Sequence, residues 1–265
     1  MTLSASSRQI QIYLPLLIAL LFACLLAACG GGGANSSDEK NTGNSSSTHE
    51  FNAQFINLIQ SDNTQTGAKV DLFYQHIGID EIEVASNVDY LSAQKTAQFG
   101  WSGLSQANLS FIIRDSFNNQ SLISKNTMSY SSAQQAHFLI ATGEKPSTHA
   151  VSVFRVNKLT EAQSSYRLFH ANALDSRNID IYNADTQTAI LTNLAFNQLS
   201  APIKFDPNIA QSNIFVIPTG TTPDYTNTAD YLLQAVIAQE SSHTLSVLIA
   251  KPGTASGWQL KHYPE

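Results

Sequence analysis

The feature that most constrains the fold of this chain is an internal repeat. Residues 70–73 match residues 179–182, and residues 138–141 match residues 247–250 at the same spacing. Other matching blocks are displaced by a few residues, as happens when loops differ in length between two copies of a domain. The chain is therefore expected to fold as two related units, the first and second repeats, each of a common domain size.

Each repeat is built from short segments that are rich in β-branched and aromatic residues and are separated by Gly, Pro, Asn and Asp. Such segments are typical of strands, and about seven of them in roughly 100 residues favour an antiparallel sandwich. We predict an all-β chain with two tandem Ig-like antiparallel β-sandwich domains, over residues 51–158 and 164–265. Residues 229–239 also fit a helical period, and we favour a strand there. The predicted strands lie near residues 53–59, 69–75, 79–85, 107–114, 136–142, 150–156, 165–171, 178–183, 188–194, 212–217, 230–238, 243–250 and 258–263.

The start of the chain, residues 1–28, has the pattern of a signal peptide. Arg8 precedes an apolar run over residues 14–28, which is shorter than the roughly 20 residues that span a bilayer. Residues 29–50 are rich in Gly, Ser, Asn and Thr and cannot bury a core, so we expect a disordered, flexible tether.

The apolar run ends in Leu26, Ala27, Ala28 and Cys29, which resembles a lipobox. This pattern predicts a lipoprotein whose acyl chains, palmitate among them, are attached to Cys29 and hold the protein in a membrane. The alternative is an ordinary secretory signal that is cut after small residues. In lipoprotein sorting, an Asp directly after the lipidated cysteine retains the protein in the inner membrane. This chain has Gly30 at that position. We therefore expect the outer membrane, with the folded part facing the periplasm or the cell surface.

Composition excludes several classes of function. Charged residues make up 13% of the chain, about half the usual share, and the net charge is −6. Phosphate recognition needs clusters of Lys and Arg, and the sequence has none, so we expect no nucleic-acid partner. The two cysteines are Cys24, in the segment predicted to be removed, and Cys29. No thiolate metal site is therefore expected.

Three segments of the second repeat, residues 167–173, 179–182 and 193–196, carry a family resemblance. They resemble the domain of unknown function 4397, which has an apolar pair followed by His-Ala-Ser, a Val-Asp-Val-Tyr strand and an Asn-Leu-x-Phe-Gly turn. Two loops depart from the pattern, at residues 173–176 and at Asn197. The resemblance implies Ig-like modules on exported bacterial proteins, and it implies no settled activity and no catalytic residues.

No nucleophile motif is present, because the chain has no G-x-S-x-G elbow, and residues 100–103 have the wrong spacing. We expect no catalytic residues and no enzyme. The alternative is an envelope hydrolase with a site assembled at the interface between the two domains.

Three residues are candidates for binding: Asp71, Asp180 and His170. Asp71 and Asp180 occupy equivalent strand positions, which suggests either a repeated ligand contact or a carboxylate that faces solvent or a turn. His170 has Asn57 at the matching place, and both side chains can hydrogen-bond a loop. We favour the structural interpretation for all three.

We expect no cofactor, with calcium as the alternative, because exported sandwiches bind it through loop oxygens. Residues 62–67 begin like an EF-hand loop, but Phe73 stands at the twelfth position. Residues 224–230 alternate oxygen donors, and Asp175 and Asp180 flank another loop. Polar turn residues give the same composition without a metal.

Four aromatic residues can supply a sugar-binding or protein-binding patch or belong to the core: Trp101, Tyr130, Tyr225 and Trp258. Taken together, the sequence predicts a cell-envelope lipoprotein with a non-enzymatic binding or structural role. Its partners are the membrane, through the lipid on Cys29, and an envelope or extracellular protein or glycan. A hydrolase and a calcium-dependent adhesion module are the alternatives.

Overall fold

The structure is a computed structural model of the chain. It describes residues 47–61, 67–131, 136–145, 150–160, 164–206, 208, 210–239, 242–254 and 257–265. Within these ranges the chain contains strands and no helix, which confirms the all-β prediction.

The first repeat contains strands β1 to β8 and the second contains strands β9 to β16. The strands of the first repeat are β1 (Thr48–Ser61), β2 (Val70–His76), β3 (Ile82–Val88), β4 (Ala93–Ser102), β5 (Gln106–Asp115), β6 (Ser121–Ser131), β7 (Ala136–Lys145) and β8 (Ser152–Asn157). Those of the second are β9 (Ser165–His170), β10 (Ile179–Asn183), β11 (Thr188–Leu194), β12 (Ile203–Lys204), β13 (Gln211–Pro218), β14 (Leu233–Ala238), β15 (Thr244–Ala250) and β16 (Trp258–Pro264).

The two repeats have the same sheet topology. In the first, sheet A has the order β4-β1-β7-β8 and sheet B has the order β3-β2-β5-β6. In the second, sheet C has the order β12-β9-β15-β16 and sheet D has the order β11-β10-β13-β14. The orders coincide strand for strand, so the repeat seen in the sequence is a repeat of the fold.

Most neighbouring strands are antiparallel, as predicted, but each repeat has one parallel pair. These pairs are β1 with β7 and β9 with β15. A parallel pair needs a long connection, and the intervening strands of the same repeat supply it. The Ig-like part of the prediction is not confirmed, because the described residues of each repeat form eight strands in an order other than the immunoglobulin one.

Each sandwich encloses its own hydrophobic core. The core of the first repeat includes Phe55, Leu72 and Phe111. The core of the second includes Leu168 and Ile181. Along β2, Val70, Leu72 and Tyr74 are buried and alternate with more exposed neighbours, because successive side chains of a strand point to opposite faces.

A third cluster joins the two repeats through sheets A and C. Strands β1, β7 and β8 contribute apolar side chains from one side, and strands β9, β15 and β16 contribute them from the other. Phe154 packs against Phe169 with the ring centroids 5.7 Å apart, and the Tyr263 hydroxyl donates to the carbonyl of Leu91 at 3.1 Å. Residues Ser46–Glu265 accordingly form one compact unit.

The strands that the sequence did not predict are β4, β6 and the short β12. Strands β4 and β6 lie at sheet edges and contain many Ser, Thr, Gln and Asn residues. Edge strands bury less apolar surface, and their pattern is therefore weaker in the sequence. Residues 229–239 contain a strand, β14, as favoured.

Candidate functional site

Asp71, a predicted binding candidate, lies at the start of β2 and bonds to its own repeat. Its Oδ1 accepts hydrogen bonds from the backbone N–H of Asn87 at 2.7 Å and from the Ser116 hydroxyl at 2.6 Å. Asn87 has a φ of 53°, a left-handed conformation that Asn adopts more readily than most residues. The carboxylate therefore stabilises a turn in this region.

Asp180 makes the equivalent contacts in the second repeat. Its Oδ1 accepts from the N–H of Asn193 at 2.7 Å and from the Thr219 hydroxyl at 2.8 Å. Its Oδ2 accepts from the N–H of Gly220 at 3.2 Å, and Asn193 has a φ of 58°. These contacts favour the structural interpretation of both aspartates.

His170 is fully buried at the end of β9. Its Nε2 lies 3.0 Å from the carbonyl oxygen of Arg177, and its Nδ1 lies 3.3 Å from the backbone N–H of Asn172. The ring also contacts Trp258, with centroids 5.1 Å apart. Burial lowers the pKa of His170 to about 4, with smaller opposing effects of the Arg177 carbonyl and Asp175. A neutral, enclosed imidazole suits the structural interpretation better than general-base catalysis.

The calcium alternative rests on three loops: residues 62–67, residues 224–230 and the loop flanked by Asp175 and Asp180. Residues 62–66 of the first loop lie outside the described residues. In the second loop, Asp224 Oδ1 accepts hydrogen bonds from the turn that follows it. Asp175 forms an ion pair with Arg177. In the described ranges, no three His, Cys, Asp or Glu side chains come together as metal ligands. Calcium binding stays the alternative to the prediction of no cofactor.

Of the four aromatic residues singled out from the sequence, three belong to the cores. Trp101 and Tyr130 are buried in the first repeat, and Trp258 is buried in the second. Tyr225 is half-buried and lies on the outer face of sheet D. The four residues therefore do not form one patch, and Tyr225 belongs to a different group.

That group is an aromatic surface made of Tyr182, Phe215, Tyr225 and Tyr231. Phe215 lies on β13 between the inward-facing Ile214 and Val216 and therefore points away from the core. Its cross-strand neighbour on β10 is Tyr182. The rings of Tyr231 and Tyr225, from the loop before β14, lie 4.4 and 6.0 Å from Phe215 between centroids.

The loop that carries these two tyrosines is held in place by its own hydrogen bonds. The Tyr231 hydroxyl donates to the carbonyl of Asp224 at 2.8 Å. Desolvation and the neighbouring Tyr182 raise the pKa of Tyr225, and desolvation together with Tyr225 and Asp224 raises the pKa of Tyr231. The aromatic surface is thus formed before any ligand arrives.

A polar margin adjoins Phe215. An open cavity of about 340 Å³ is bordered by Phe215, Asp185, Asn213 and Gln234. The side-chain amide of Asn213 donates to both oxygens of Asp185, at 2.9 and 3.0 Å. The carboxylate is therefore fixed in position, and Gln234 beside it is exposed.

The first repeat has a closed version of the same face. Phe73 and Ile112 are cross-strand neighbours there, as Tyr182 and Phe215 are in the second repeat. The Arg114 guanidinium lies 4.5 Å from the centroid of Phe73 and forms an ion pair with a glutamate. Ile112 is only 4% exposed. The position equivalent to Phe215 is therefore a buried isoleucine in the first repeat, whereas Phe215 in the second repeat is a half-buried aromatic residue.

A wider groove, of about 540 Å³, lies along the edge of the first repeat. Arg155 on β8 donates to the carbonyl of Ser129 on the edge strand β6 at 2.7 Å. Its guanidinium covers the ring of the buried Tyr130 at 5.0 Å. This arginine shields the core where the two sheets separate.

Phe215 was not among the candidate residues predicted from the sequence. Residues 214–217 of β13 are all apolar, so no alternation in the sequence marks Phe215 as the outward-facing residue between Ile214 and Val216. Cys29 and the lipobox residues lie outside the described residues. Among the described residues, no helix is long and apolar enough to cross a bilayer.

No protein-family model matches the sequence, and no curated protein matches it. Among solved structures, the chain is similar to a family 26 carbohydrate-binding module of Amy13K from Eubacterium rectale, in complex with maltoheptaose. The identity is 11%, the TM-score is 0.22, and the match covers 83% of this chain and 97% of that chain. It is also similar to SpuA, a multi-modular glycogen-degrading pneumococcal virulence factor. That identity is 10% with a TM-score of 0.26, and the match covers 82% of this chain and 22% of SpuA.

Proposed function

We propose that this protein is a non-catalytic binding module of the bacterial cell envelope, tethered to the outer membrane by lipid on Cys29. The observation that carries the proposal is the aromatic surface on sheet D. It is an outward-facing group of four half-buried rings, two on sheet D and two on the loop before β14, next to polar side chains that bond to one another. Exposed apolar patches with polar margins mark binding sites in many soluble proteins.

The residues that could perform chemistry have structural partners instead. Asp71, Asp180 and His170 each bond to turns of their own repeat. The described cavity between the repeats, beside Gln60 and Tyr90, has a volume of about 10 Å³. Such a space holds about one water molecule and no substrate. These observations argue against the hydrolase alternative.

The architecture suits a binding role at a membrane. The two repeats share a hydrophobic interface, so the aromatic surface belongs to one compact unit. The tether predicted from the sequence over residues 29–50 would give this unit reach and orientational freedom. The partner is an envelope component or an extracellular molecule within that reach.

Cosedimentation of an unlipidated Cys29→Ala form with isolated envelope fractions tests the proposal, because the lipid alone would carry the mature protein into the membrane pellet. The substitutions below are made in this form. Phe215→Ala should reduce the bound fraction, because it removes the central ring of the aromatic surface. Phe73→Ala is the control, since Phe73 is an aromatic residue on the corresponding face of the first repeat, where it is the counterpart of Tyr182. Equal binding by all three proteins would contradict the proposed site.

A further inference from the structure

We infer that the aromatic surface binds a neutral oligosaccharide, and this inference rests on the proposed binding role of that surface. One face of a pyranose ring presents mostly C–H groups, whereas its edge carries hydroxyls. A complementary site needs an aromatic ring for the face and fixed hydrogen-bonding groups for the edge. The surroundings of Phe215 contain both.

The ring component is extended in two directions. Across the sheet, Phe215 lies between Tyr182 on β10 and Gln234 on β14. From the loop, Tyr231 and Tyr225 continue the same surface, with interplanar angles to Phe215 of 41° and 43°. Several inclined rings can contact successive sugar units, which favours a chain over a single sugar.

The hydrogen-bonding component is next to Phe215. Asp185 and Asn213 form a fixed carboxylate–amide pair, and Gln234 is an exposed amide. A carboxylate can accept hydrogen bonds from hydroxyl groups, and an amide can both accept from them and donate to them. Because these side chains border the same cavity as Phe215, one sugar unit can contact the ring and the polar margin together.

The charge of the site selects among ligands. The described residues that border this cavity include one acidic side chain, Asp185, and no Lys or Arg. A phosphate, sulfate or carboxylate on the ligand would meet a like charge and no cation, which is unfavourable. A neutral saccharide meets no such repulsion.

Preorganisation keeps the cost of binding low. Tyr231 is held by its hydrogen bond to the carbonyl of Asp224, and Phe215 is held in the sheet. Side chains that are ordered before binding lose little conformational entropy when the ligand arrives.

The inference is tested by calorimetric titration of the mature protein with neutral hexasaccharides of glucose and of N-acetylglucosamine. At least one should bind, and Phe215→Ala should weaken its binding by at least about tenfold, as expected for a central aromatic contact. Phe73→Ala should bind like the wild-type protein. Tyr225→Ala, in a loop outside the core, gives a second variant that leaves the sheet intact and should also weaken binding.

The outcomes separate this inference from the proposed function. If neither hexasaccharide binds, or if Phe215→Ala and Tyr225→Ala bind as well as the wild-type protein, the oligosaccharide inference is wrong. If the protein nevertheless cosediments with envelope fractions and Phe215→Ala reduces the bound fraction, the binding role stands and the ligand is of another class. If an acidic hexasaccharide of uronic acids binds more tightly than the neutral ones, the charge argument fails and the inference is overturned.

Discussion

Asn57 and His170 occupy the same place in the two repeats and make the same pair of contacts. The Asn57 amide donates to the carbonyl of Ala68 at 2.6 Å, and its Oδ1 accepts from the N–H of Ile59 at 3.1 Å. His170 reproduces both contacts, with Nε2 at the carbonyl of the matching loop residue and Nδ1 at the N–H two positions on. Two different side chains thus hold the loop after the first strand of each repeat.

This relationship predicts that His170 makes the stability of the protein depend on pH in a way that Asn57, which does not titrate, cannot. Burial lowers the pKa of His170 to about 4 from 6.5, so the unfolded chain takes up this proton at a higher pH than the folded chain. The stabilising effect of neutral His170 is complete above its unfolded pKa and is lost as the pH falls toward its folded pKa. Between pH 7 and pH 5, the free energy of unfolding should fall by about 2 kcal/mol from this group.

Urea unfolding at several pH values measures this effect. His170→Asn, which introduces the residue of the first repeat, should be less stable at pH 7 but should lose most of the pH dependence in this interval. An unchanged pH dependence would show that other groups are responsible.

The two repeated aspartates should differ in their contribution to stability. Asp180 is 5% exposed and accepts three hydrogen bonds, whereas Asp71 is half-buried and accepts two. We expect Asp180→Ala to lower the free energy of unfolding by about 1–3 kcal/mol, because two backbone N–H groups and the Thr219 hydroxyl lose the buried acceptor that they share. Asp71→Ala should cost less. Chemical denaturation of both variants checks this, and equal losses would contradict the burial argument.

The shared cluster between sheets A and C predicts that the two repeats unfold together. Each repeat contains one tryptophan, Trp101 in the first and Trp258 in the second, so Trp258→Phe and Trp101→Phe give one fluorescence probe per repeat. The two probes should report the same denaturation midpoint. Phe169→Ala, in the shared cluster, should shift both midpoints by removing about 3–5 kcal/mol. Two separate transitions would show that the repeats are independent domains.

The lipobox predicts that membrane attachment depends on one sulfur atom. Cys29→Ala should release the protein into the soluble fraction and abolish incorporation of labelled palmitate, because no other anchor is predicted from the sequence. Fractionation of cells that express each form is the measurement. Retention of the variant in the membrane fraction would refute lipid anchoring at this site.

Much of the architecture could be predicted from the sequence, because its signals are local. Residues 70–73 and 179–182 alternate in hydrophobicity, and they form β2 and β10 in equivalent places of the two repeats. Strands β4 and β6 were missed because their polar residues resemble loops, and only pairing with β1 and β5 makes them strands.

The aromatic surface could be predicted only in part. Tyr225 was recognised as a candidate, but Trp101, Tyr130 and Trp258 have the same side-chain chemistry and are buried. Burial of an aromatic residue depends on what packs over it, and that partner is distant in sequence. Phe215 and Tyr231 come together because the loop before β14 returns over β13. The periodicity of the sequence gives no sign of such a contact.

The sequence by itself determined the repeat, the strand-rich character and the predicted anchor, because periodicity and apolar runs are properties of neighbouring residues. The tertiary structure alone decided the parallel pairing of β1 with β7, the fusion of the two sandwiches and the difference between their outer faces. These depend on contacts between residues far apart in the chain. The Phe73 ring is covered by Arg114, whereas Phe215 is extended by Tyr231, so equivalent faces of one fold present different surfaces to solvent.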